Sequence, residues 1–223
     1  MNKNSMWGWG HMGNEFVDLF DKWASDYDQT VSGHDLEYQN VFLHYDRILQ
    51  KVADRSRGNV LEFGPGTGNL TLKLIGRNLH VVGVEPSSEM RKMANRKLQN
   101  KAQIVEGDFF NFPQDLPCQT IVSSYAFHHL TDSEKAEAIA LYSGILPSSG
   151  KIIFADTIFE STSTYQNVIK DAINNGYEHL AKDLQTEYYT TIPVLSSILT
   201  NNHFDFKFEK CNEFVWMMEA TKK

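Results

Sequence analysis

The sequence predicts an α/β fold in which one doubly wound, mostly parallel sheet carries helices on both faces. From Val60 onward, short apolar runs of strand length alternate with segments of helical periodicity, as in repeated strand–helix–strand units with right-handed crossovers. A glycine-rich turn, Gly64-Pro65-Gly66-Thr67-Gly68, follows the first of these runs. Turns of this kind feed a helix N-terminus in the open α/β sheets that bind nucleotides.

The composition agrees with one folded domain. The 223 residues are 41% apolar and 12% aromatic, which is enough for a full core. The formal net charge of −7 works against a nucleic-acid partner, because such a partner needs a basic surface. There is no signal peptide and no apolar run near the roughly 18 residues of a membrane span. We therefore expect a cytoplasmic monomer or homodimer with no membrane or nucleic-acid partner.

The N-terminal part is predicted to be helical. Residues 1–11 have no usable periodicity and are interpreted as a tag or disordered tail, which leaves residues 12–223 as the single domain. Two amphipathic helices are predicted within residues 14–53, as part of a cap. Their apolar faces are Phe16, Leu19, Phe20, Trp23, Ala24 and Tyr27 in the first, and Tyr38, Val41, Phe42, Tyr45, Leu49 and Val52 in the second.

The parallel part of the sheet is predicted from five apolar runs. The predicted strands are residues 60–63, 79–84, 102–105, 119–124 and 151–155. Helices connect them: one follows the glycine turn, one begins at Pro86, and one begins at the capping box of Thr131 and Glu134.

The C-terminal part is predicted to add an insertion and a hairpin. Residues 162–182 form a helical stripe, interrupted at Gly176, which we expect to complete the cap. A short helix begins near Pro193. Alternating aromatic residues then predict a hairpin at about residues 203–220.

Acidic residues follow three of the predicted strands. Because the carboxyl ends of parallel strands meet at one sheet edge, Glu62 with the glycine turn, Glu85 after strand two, and Asp108 with Phe109 after strand three should lie together. An acid at the end of strand two can accept hydrogen bonds from both ribose hydroxyls. Asp108 can accept from an exocyclic adenine amine while Phe109 packs on the ring. The sequence therefore predicts a nucleoside site.

The spacing of the glycines distinguishes between nucleosides. A dinucleotide fingerprint, G-x-G-x-x-G, needs a third glycine at the position of Asn69, and no Walker lysine follows the turn. The glycines are instead Gly64, Gly66 and Gly68. Glu62, two residues before the first of them, can act on a cationic amino-acid tail where a dinucleotide would place a pyrophosphate.

With these residues, the chain resembles the class I S-adenosylmethionine-dependent methyltransferases, and within them the small-molecule branch. The stretches 20–28 and 124–130 and the overall length are similar to those of the bacterial YrrT-like methyltransferases. The resemblance implies a Rossmann-like sheet of seven strands, one of them antiparallel and supplied by the last hairpin. It also implies that Gly64, Glu85 and Asp108 contact S-adenosylmethionine.

The residues after strand four complete the predicted site. Tyr125 is a candidate cofactor contact, as is Tyr27, which can close over the sulfonium from the end of the first helix. His128 and His129 are candidate general bases, and at most one of them should face the site because neighbouring residues of an extended segment point in opposite directions. No group of Cys, His or Asp residues has a metal-ligand spacing, so no metal site is predicted.

The functional hypothesis is methyl transfer from S-adenosylmethionine to a small-molecule acceptor, whose methylated atom is left open. Two alternatives remain at this point. One is a non-catalytic protein that binds S-adenosylmethionine or S-adenosylhomocysteine. The other is a nucleotide-dependent oxidoreductase, which Asn69 and the predicted antiparallel hairpin disfavour.

Overall fold

The computed structural model describes Asp21, Ala24 and residues 27–223. The tail expected at residues 1–11 and most of the first expected helix lie outside the described residues. The strands are β1 (Asn59–Phe63), β2 (His80–Glu85), β3 (Gln103–Glu106), β4 (Thr120–Ser124), β5 (Lys151–Phe159), β6 (Thr190–Thr191), β7 (Phe204–Lys210) and β8 (Val215–Lys222).

The sheet has the predicted strand directions. Seven of the described strands follow one another as β3-β2-β1-β4-β5-β8-β7, and the two-residue β6 pairs with β5. The pairs among β1 to β5 are all parallel. Strand β8 is antiparallel to both of its neighbours. The predicted seven-stranded sheet with one antiparallel strand from the last hairpin is thus confirmed.

Helices cover both faces of this sheet. Alternate side chains of β5 enter two separate clusters: Ile152 and Phe154 pack with Tyr142, whereas Ile153 packs with Leu49. Among the described residues, no helix is long and apolar enough to cross a membrane. The described helices of eight or more residues are α1 (Tyr45–Arg55), α2 (Asn69–Gly76), α3 (Ser88–Leu98), α4 (Asp132–Ile145), α5 (Thr162–Asn174), α6 (Glu178–Thr186) and α7 (Ile192–Asn201). Shorter helical segments lie at Tyr27–Gln29, Thr30–His34 and Phe127–His129.

Local sequence signals explain two of the helix boundaries. Helix α4 begins at the predicted capping box, in which the Thr131 hydroxyl accepts from the Glu134 N–H and the Glu134 carboxylate accepts from the Thr131 N–H. The insertion divides into α5 and α6 at Gly176, whose φ of 72° suits glycine.

Two elements differ from the prediction. The second N-terminal helix begins at Tyr45 rather than near Tyr38, because His44 has a left-handed φ of 67° that interrupts the helix. Strand β5 extends to Phe159 because its last residues pair with both β8 and β6.

Candidate functional site

The site lies where the order of the strands reverses, at the carboxyl ends of β1 and β4. In the register, Phe63 of β1 lies beside Val84 of β2 and Ser123 of β4, so these three strands end at one level. A cavity that is partly open to solvent lies there. We call it the strand-end cavity; it is lined by Tyr27, Phe63, Gly64, Gly66, Val84, Glu85, Pro86, Met90, Asp108, Phe109, Phe110, Ser124, Tyr125, Ala126, His129 and Leu130.

The glycine turn brings bare backbone to this cavity. Gly64, Gly66 and Gly68 have φ values of 64°, 55° and 89°, in the left-handed region. A Cβ atom on Gly64 would lie 2.8 Å from the Cβ of Ala126, whereas one on Gly66 would meet no atom within 4 Å. Gly66 therefore leaves room for a ligand, while Gly64 is required by the packing.

Glu85 supports the turn from the end of β2. Its Oε2 atom accepts from the Gly66 N–H and its Oε1 atom from the Ser87 N–H, each at 2.9 Å. Burial raises the pKa of Glu85 to about 7, although both N–H donors and the Arg91 guanidinium oppose that rise. The carboxyl group therefore changes protonation near neutral pH.

Glu62 lies behind the turn and outside the set of residues that line the cavity. The Thr71 hydroxyl donates to its Oε2 atom at 2.7 Å. Burial, with a smaller contribution from Glu85, raises the pKa of Glu62 to about 8. Gly68, which precedes α2, also lies outside the lining set.

Asp108 and Phe109 form the wall after β3. The Asp108 Oδ1 atom accepts from the N–H groups of Phe110 and Asn111, each at 2.8 Å, which fixes the orientation of the carboxylate. The Phe109 ring stacks on Phe63, with ring centroids 5.3 Å apart. Phe110, which the sequence did not single out, also lines the cavity.

Aromatic residues form the wall near β4. Tyr125 has a left-handed φ of 52°, a strained conformation for a bulky side chain, and packs against Phe42 and Tyr45. The Tyr27 hydroxyl hydrogen-bonds to Tyr45. Burial raises the pKa values of Tyr27, Tyr45 and Tyr125, that of Tyr45 to about 12, so these hydroxyl groups stay neutral.

A polar cluster ties Tyr27 and its neighbours to the glycine turn. The Lys97 ammonium donates to Asp28, Thr67 and Asn69 at 2.7, 2.9 and 2.7 Å. Asp28 also accepts from the Thr67 hydroxyl at 2.7 Å and from the Asn69 amide at 3.0 Å. This cluster holds the N-terminal segment over the strand-end cavity.

The two histidines after β4 have different surroundings. His129 lines the cavity, whereas the Nδ1 atom of His128 lies 2.5 Å from the Oδ1 atom of Asp156 in β5. The Nε2 atom of His128 lies 3.3 Å from the Oε2 atom of Glu187, which follows α6. Burial opposes the charged imidazole, but Asp156 and Glu187 outweigh it and raise the pKa of His128. Burial, His128 and Lys135 lower the pKa of His129 well below its ordinary value, so its imidazole is neutral.

Most of the predicted residues come together. The predicted residues that line the cavity are Tyr27, Gly64, Gly66, Glu85, Asp108, Phe109, Tyr125 and His129. The sequence pattern predicts neither Asp156 nor Glu187 as a site residue. Asp156 is an acid within an otherwise apolar strand, a feature that can indicate a buried polar site. Glu187 has no such feature, because it lies far from the histidines in the sequence.

Comparisons with known proteins agree with this geometry. A sequence profile described as a methyltransferase domain matches residues 60–150. Proteins from Bacillus mycoides and Bacillus cereus, each named an uncharacterized methyltransferase, are 54% identical over 212 residues, which cover 95% of this chain and 100% of each relative.

Solved structures show the same fold at low sequence identity. The magnesium protoporphyrin IX methyltransferase from Synechocystis with bound SAH has a TM-score of 0.71 and 16% identity, over 94% of this chain and 99% of that one. DhpI, in a complex with SAM and HEP, has a TM-score of 0.71 and 16% identity, over 96% of this chain and 99% of that one.

The relatives are named methyltransferases, as the profile is, and the mostly parallel sheet with one antiparallel strand is the one that the resemblance implied. These findings separate the chain from the nucleotide-dependent oxidoreductases that the sequence alone had left open. The chain belongs to the class I S-adenosylmethionine-dependent methyltransferases.

Proposed function

We propose that this protein transfers a methyl group from S-adenosylmethionine, bound in the strand-end cavity, to a small-molecule acceptor. The observation that supports this proposal best is the convergence of Gly66, Glu85 and Asp108 on one cavity at the reversal point of the sheet. The residues fit the cofactor, because Gly66 leaves space beside its backbone and two carboxylates lie on the cavity wall.

The acidic residues are proposed to bind the nucleoside part of the cofactor. Each carboxylate oxygen of Glu85 has two lone pairs, so it can accept from a ribose hydroxyl while it keeps its backbone N–H donor. Asp108, oriented by two backbone N–H groups, is proposed to accept from the adenine amine. Phe109 and Phe110 offer apolar surface for the base.

The reaction needs little chemistry from the protein itself. When bound, S-adenosylmethionine supplies a methyl group that its sulfonium already makes electrophilic. The chain has to hold the acceptor in line with that methyl group, and such positioning can supply up to about 7–11 kcal/mol of the barrier. Tyr27 and Tyr125 are proposed to exclude water from the cavity. His129, as a neutral imidazole at the cavity, is proposed to take a proton from acceptors that lose one.

The acceptor class, the cellular location and the oligomeric state of the protein are also proposals. The net charge of −7 supports a small-molecule acceptor over a nucleic acid, and the free thiols of Cys118 and Cys211 support a reducing, cytoplasmic environment. A monomer or homodimer is expected, which sedimentation equilibrium tests.

The first test is a calorimetric titration with S-adenosylhomocysteine, run beside NADH. We expect binding of S-adenosylhomocysteine only, and the substitution Asp108→Ala should weaken it about ten- to a hundredfold, as for one or two lost polar contacts. Glu85→Gln should weaken binding in the same range. The control is Asp115→Ala, which removes an exposed acid downstream of Asp108 that lies outside the cavity lining. Unchanged affinity in both site variants, or binding of NADH instead, would contradict the proposed site.

A second experiment tests the acceptor class. S-adenosylmethionine with a labelled methyl group is incubated with the protein and a cell extract, which is then separated by molecular mass. Label in the small-molecule fraction is expected. Label confined to nucleic acid or protein would overturn the proposed acceptor class but not the cofactor site.

A further inference from the structure

We propose that His128, His129 and Glu187 form a binding site for a divalent transition metal ion, with zinc as the ion that the donor set fits best. This proposal goes beyond the proposed function and replaces the expectation, drawn from sequence spacing alone, that the chain has no metal site. Each of the three residues offers one donor atom, and these atoms all lie within 4.8 Å of one another.

The geometry agrees with tetrahedral coordination. Zinc binds imidazole nitrogen at about 2.0–2.1 Å and carboxylate oxygen at about 2.0–2.2 Å, so neighbouring donors of a tetrahedron are about 3.3–3.4 Å apart. The Nε2 atom of His128 and the Oε2 atom of Glu187 already lie 3.3 Å apart. Two histidines and one carboxylate are also a donor set of catalytic zinc sites, which keep the fourth position open.

The groups behind these donors are arranged as in metal sites. Asp156 lies against the Nδ1 atom of His128, which leaves Nε2 as the donor that faces Glu187. A carboxylate in that place orients a metal-binding histidine and increases its basicity. The Tyr189 hydroxyl donates to the Glu187 Oε2 atom at 2.5 Å, so the carboxylate is oriented as well. His129, which follows His128 directly, offers the third donor atom of the group.

The surrounding charges are compatible with a bound cation. Two acidic residues lie beside His128: Asp156, which is buried, and Glu187, whose side chain is 12% exposed. The nearby cation is Lys135, whose ammonium group donates to the carbonyl oxygens of Leu130 and Tyr188.

The position of the site suggests what the ion would do. His129 lines the strand-end cavity, whereas Glu187 comes from the insertion between β5 and β6. An ion held by both would face the cavity from the side of the insertion. There it could bind an acceptor through an oxygen, nitrogen or sulfur atom and favour the deprotonated, nucleophilic form of that atom. With the ion bound, this effect would replace proton transfer to His129, because coordination occupies the lone pair of that imidazole.

The test is zinc uptake by the full-length protein. The protein is stripped with a chelator, dialysed against zinc sulfate and passed over a desalting column, and retained zinc is measured by mass spectrometry. Wild type should retain about one equivalent, as expected for one three-ligand site. Glu187→Gln and His128→Ala should retain almost none, and Asp156→Asn should weaken zinc affinity about 10–100-fold. His80→Ala, which removes an exposed histidine elsewhere, should behave as wild type.

Cobalt substitution adds a spectroscopic readout. Co²⁺ in the wild-type site should give the intense visible absorption of a tetrahedral complex, absent from Glu187→Gln. Titration with S-adenosylhomocysteine serves as the folding control, because Glu187 lies outside the cavity lining and its substitution should leave that affinity unchanged. Equal zinc retention by all variants would overturn the proposal. So would the absence of retained zinc in the wild-type protein.

Discussion

Glu62 and Glu85 are two buried carboxyl groups on either side of the glycine turn, and burial raises the pKa of both. Glu62 accepts a hydrogen bond from the Thr71 hydroxyl, and Glu85 accepts hydrogen bonds from two backbone N–H groups. Their surroundings differ because Glu85 borders the strand-end cavity and Glu62 does not. A change at Glu62 should therefore affect stability, and one at Glu85 should affect ligand binding as well.

The raised pKa of Glu62 predicts a pH-dependent stability. A carboxyl group whose pKa is about 8 when folded and ordinary when unfolded stabilises the fold below its ordinary pKa, and this stabilisation is lost as the pH rises toward 8. The free energy of unfolding should fall between about pH 5 and pH 8, by at most about 1.4 kcal/mol per pH unit for one proton. Urea unfolding across this range should show a shallower fall in Glu62→Gln. The exposed Glu137→Gln should keep the wild-type slope, and an unchanged slope in Glu62→Gln would refute the prediction.

The site residues also show how far single positions can be predicted. Glu85 and Asp108 were predictable because each directly follows a strand, and parallel strands end at one edge. His129 could not be separated from His128 by sequence, because the turn at Phe127–His129 and the carboxylate of Asp156 decide which ring faces the cavity. Glu187 was unpredictable because only tertiary packing brings it beside His128.

At the scale of elements, the glycine turn shows two separate reasons for glycine, a left-handed backbone angle and a lack of space for a side chain. Gly64 and Gly66 both have positive φ, but only the Cβ of an alanine at position 64 would collide, with Ala126. Gly66→Ala should cost the left-handed strain alone, about 1–2 kcal/mol of unfolding free energy. Gly64→Ala should lower the free energy of unfolding by about 1–3 kcal/mol more than Gly66→Ala does, because the added carbon is overpacked against Ala126. Urea unfolding of the two variants measures the difference.

A second substitution checks the cause of that difference. The double variant Gly64→Ala with Ala126→Gly removes the carbon atom that the new side chain would meet. After subtraction of the effect of Ala126→Gly alone, the loss of unfolding free energy caused by overpacking should disappear, and the loss caused by the left-handed backbone should remain. Equal destabilisation by Gly64→Ala and Gly66→Ala would show that the turn relaxes around the added carbon.

Elements of strong periodicity were predictable, and the exceptions have physical causes. The capping box at Thr131 and the break at Gly176 lie where the sequence predicted them. The helix expected to begin near Tyr38 begins instead at Tyr45, since residues with helical spacing can also pack from a turn, as Phe42 does against Tyr125. The length of β5 depended on partners that the local sequence does not contain.

At the scale of the whole molecule, Glu219 joins four elements. Its carboxylate lies 2.7 Å from Lys151 of β5, 3.1 Å from Lys207 of β7 and 3.8 Å from Arg55 of α1, while Glu219 itself belongs to β8. These cations keep the pKa of Glu219 below its ordinary value, although burial opposes them. The antiparallel edge of the sheet is thereby tied to the parallel part and to the first described long helix.

Glu219→Gln should lower the free energy of unfolding at pH 7 by about 1–3 kcal/mol, because three cations lose a mostly buried partner. The difference in unfolding free energy between Glu219→Gln and wild type should disappear at low pH. A carboxyl group with a lowered pKa stabilises the fold above its unfolded-state pKa, and this stabilisation is lost as the pH falls through its folded-state pKa. Guanidinium unfolding from pH 7 to pH 3 tests this. Glu160→Gln, which breaks an exposed pair with Lys210, should change stability by less than about 0.5 kcal/mol. A constant gap at all pH values would contradict the electrostatic explanation.

The insertion of α5 and α6 has a consequence for how this group of enzymes can diverge. Apart from Tyr27, the residues that line the strand-end cavity come from residues 63–130, within the span of the family profile at residues 60–150. Glu187 and Tyr189 come from outside that span and join the site only through the fold. On the proposed function, we expect mutation in this insertion to change which methyl acceptor is bound while the cofactor half stays constant. We therefore expect relatives that keep residues 63–130 to keep the cofactor, and to differ in acceptor where their segments between β5 and β6 differ.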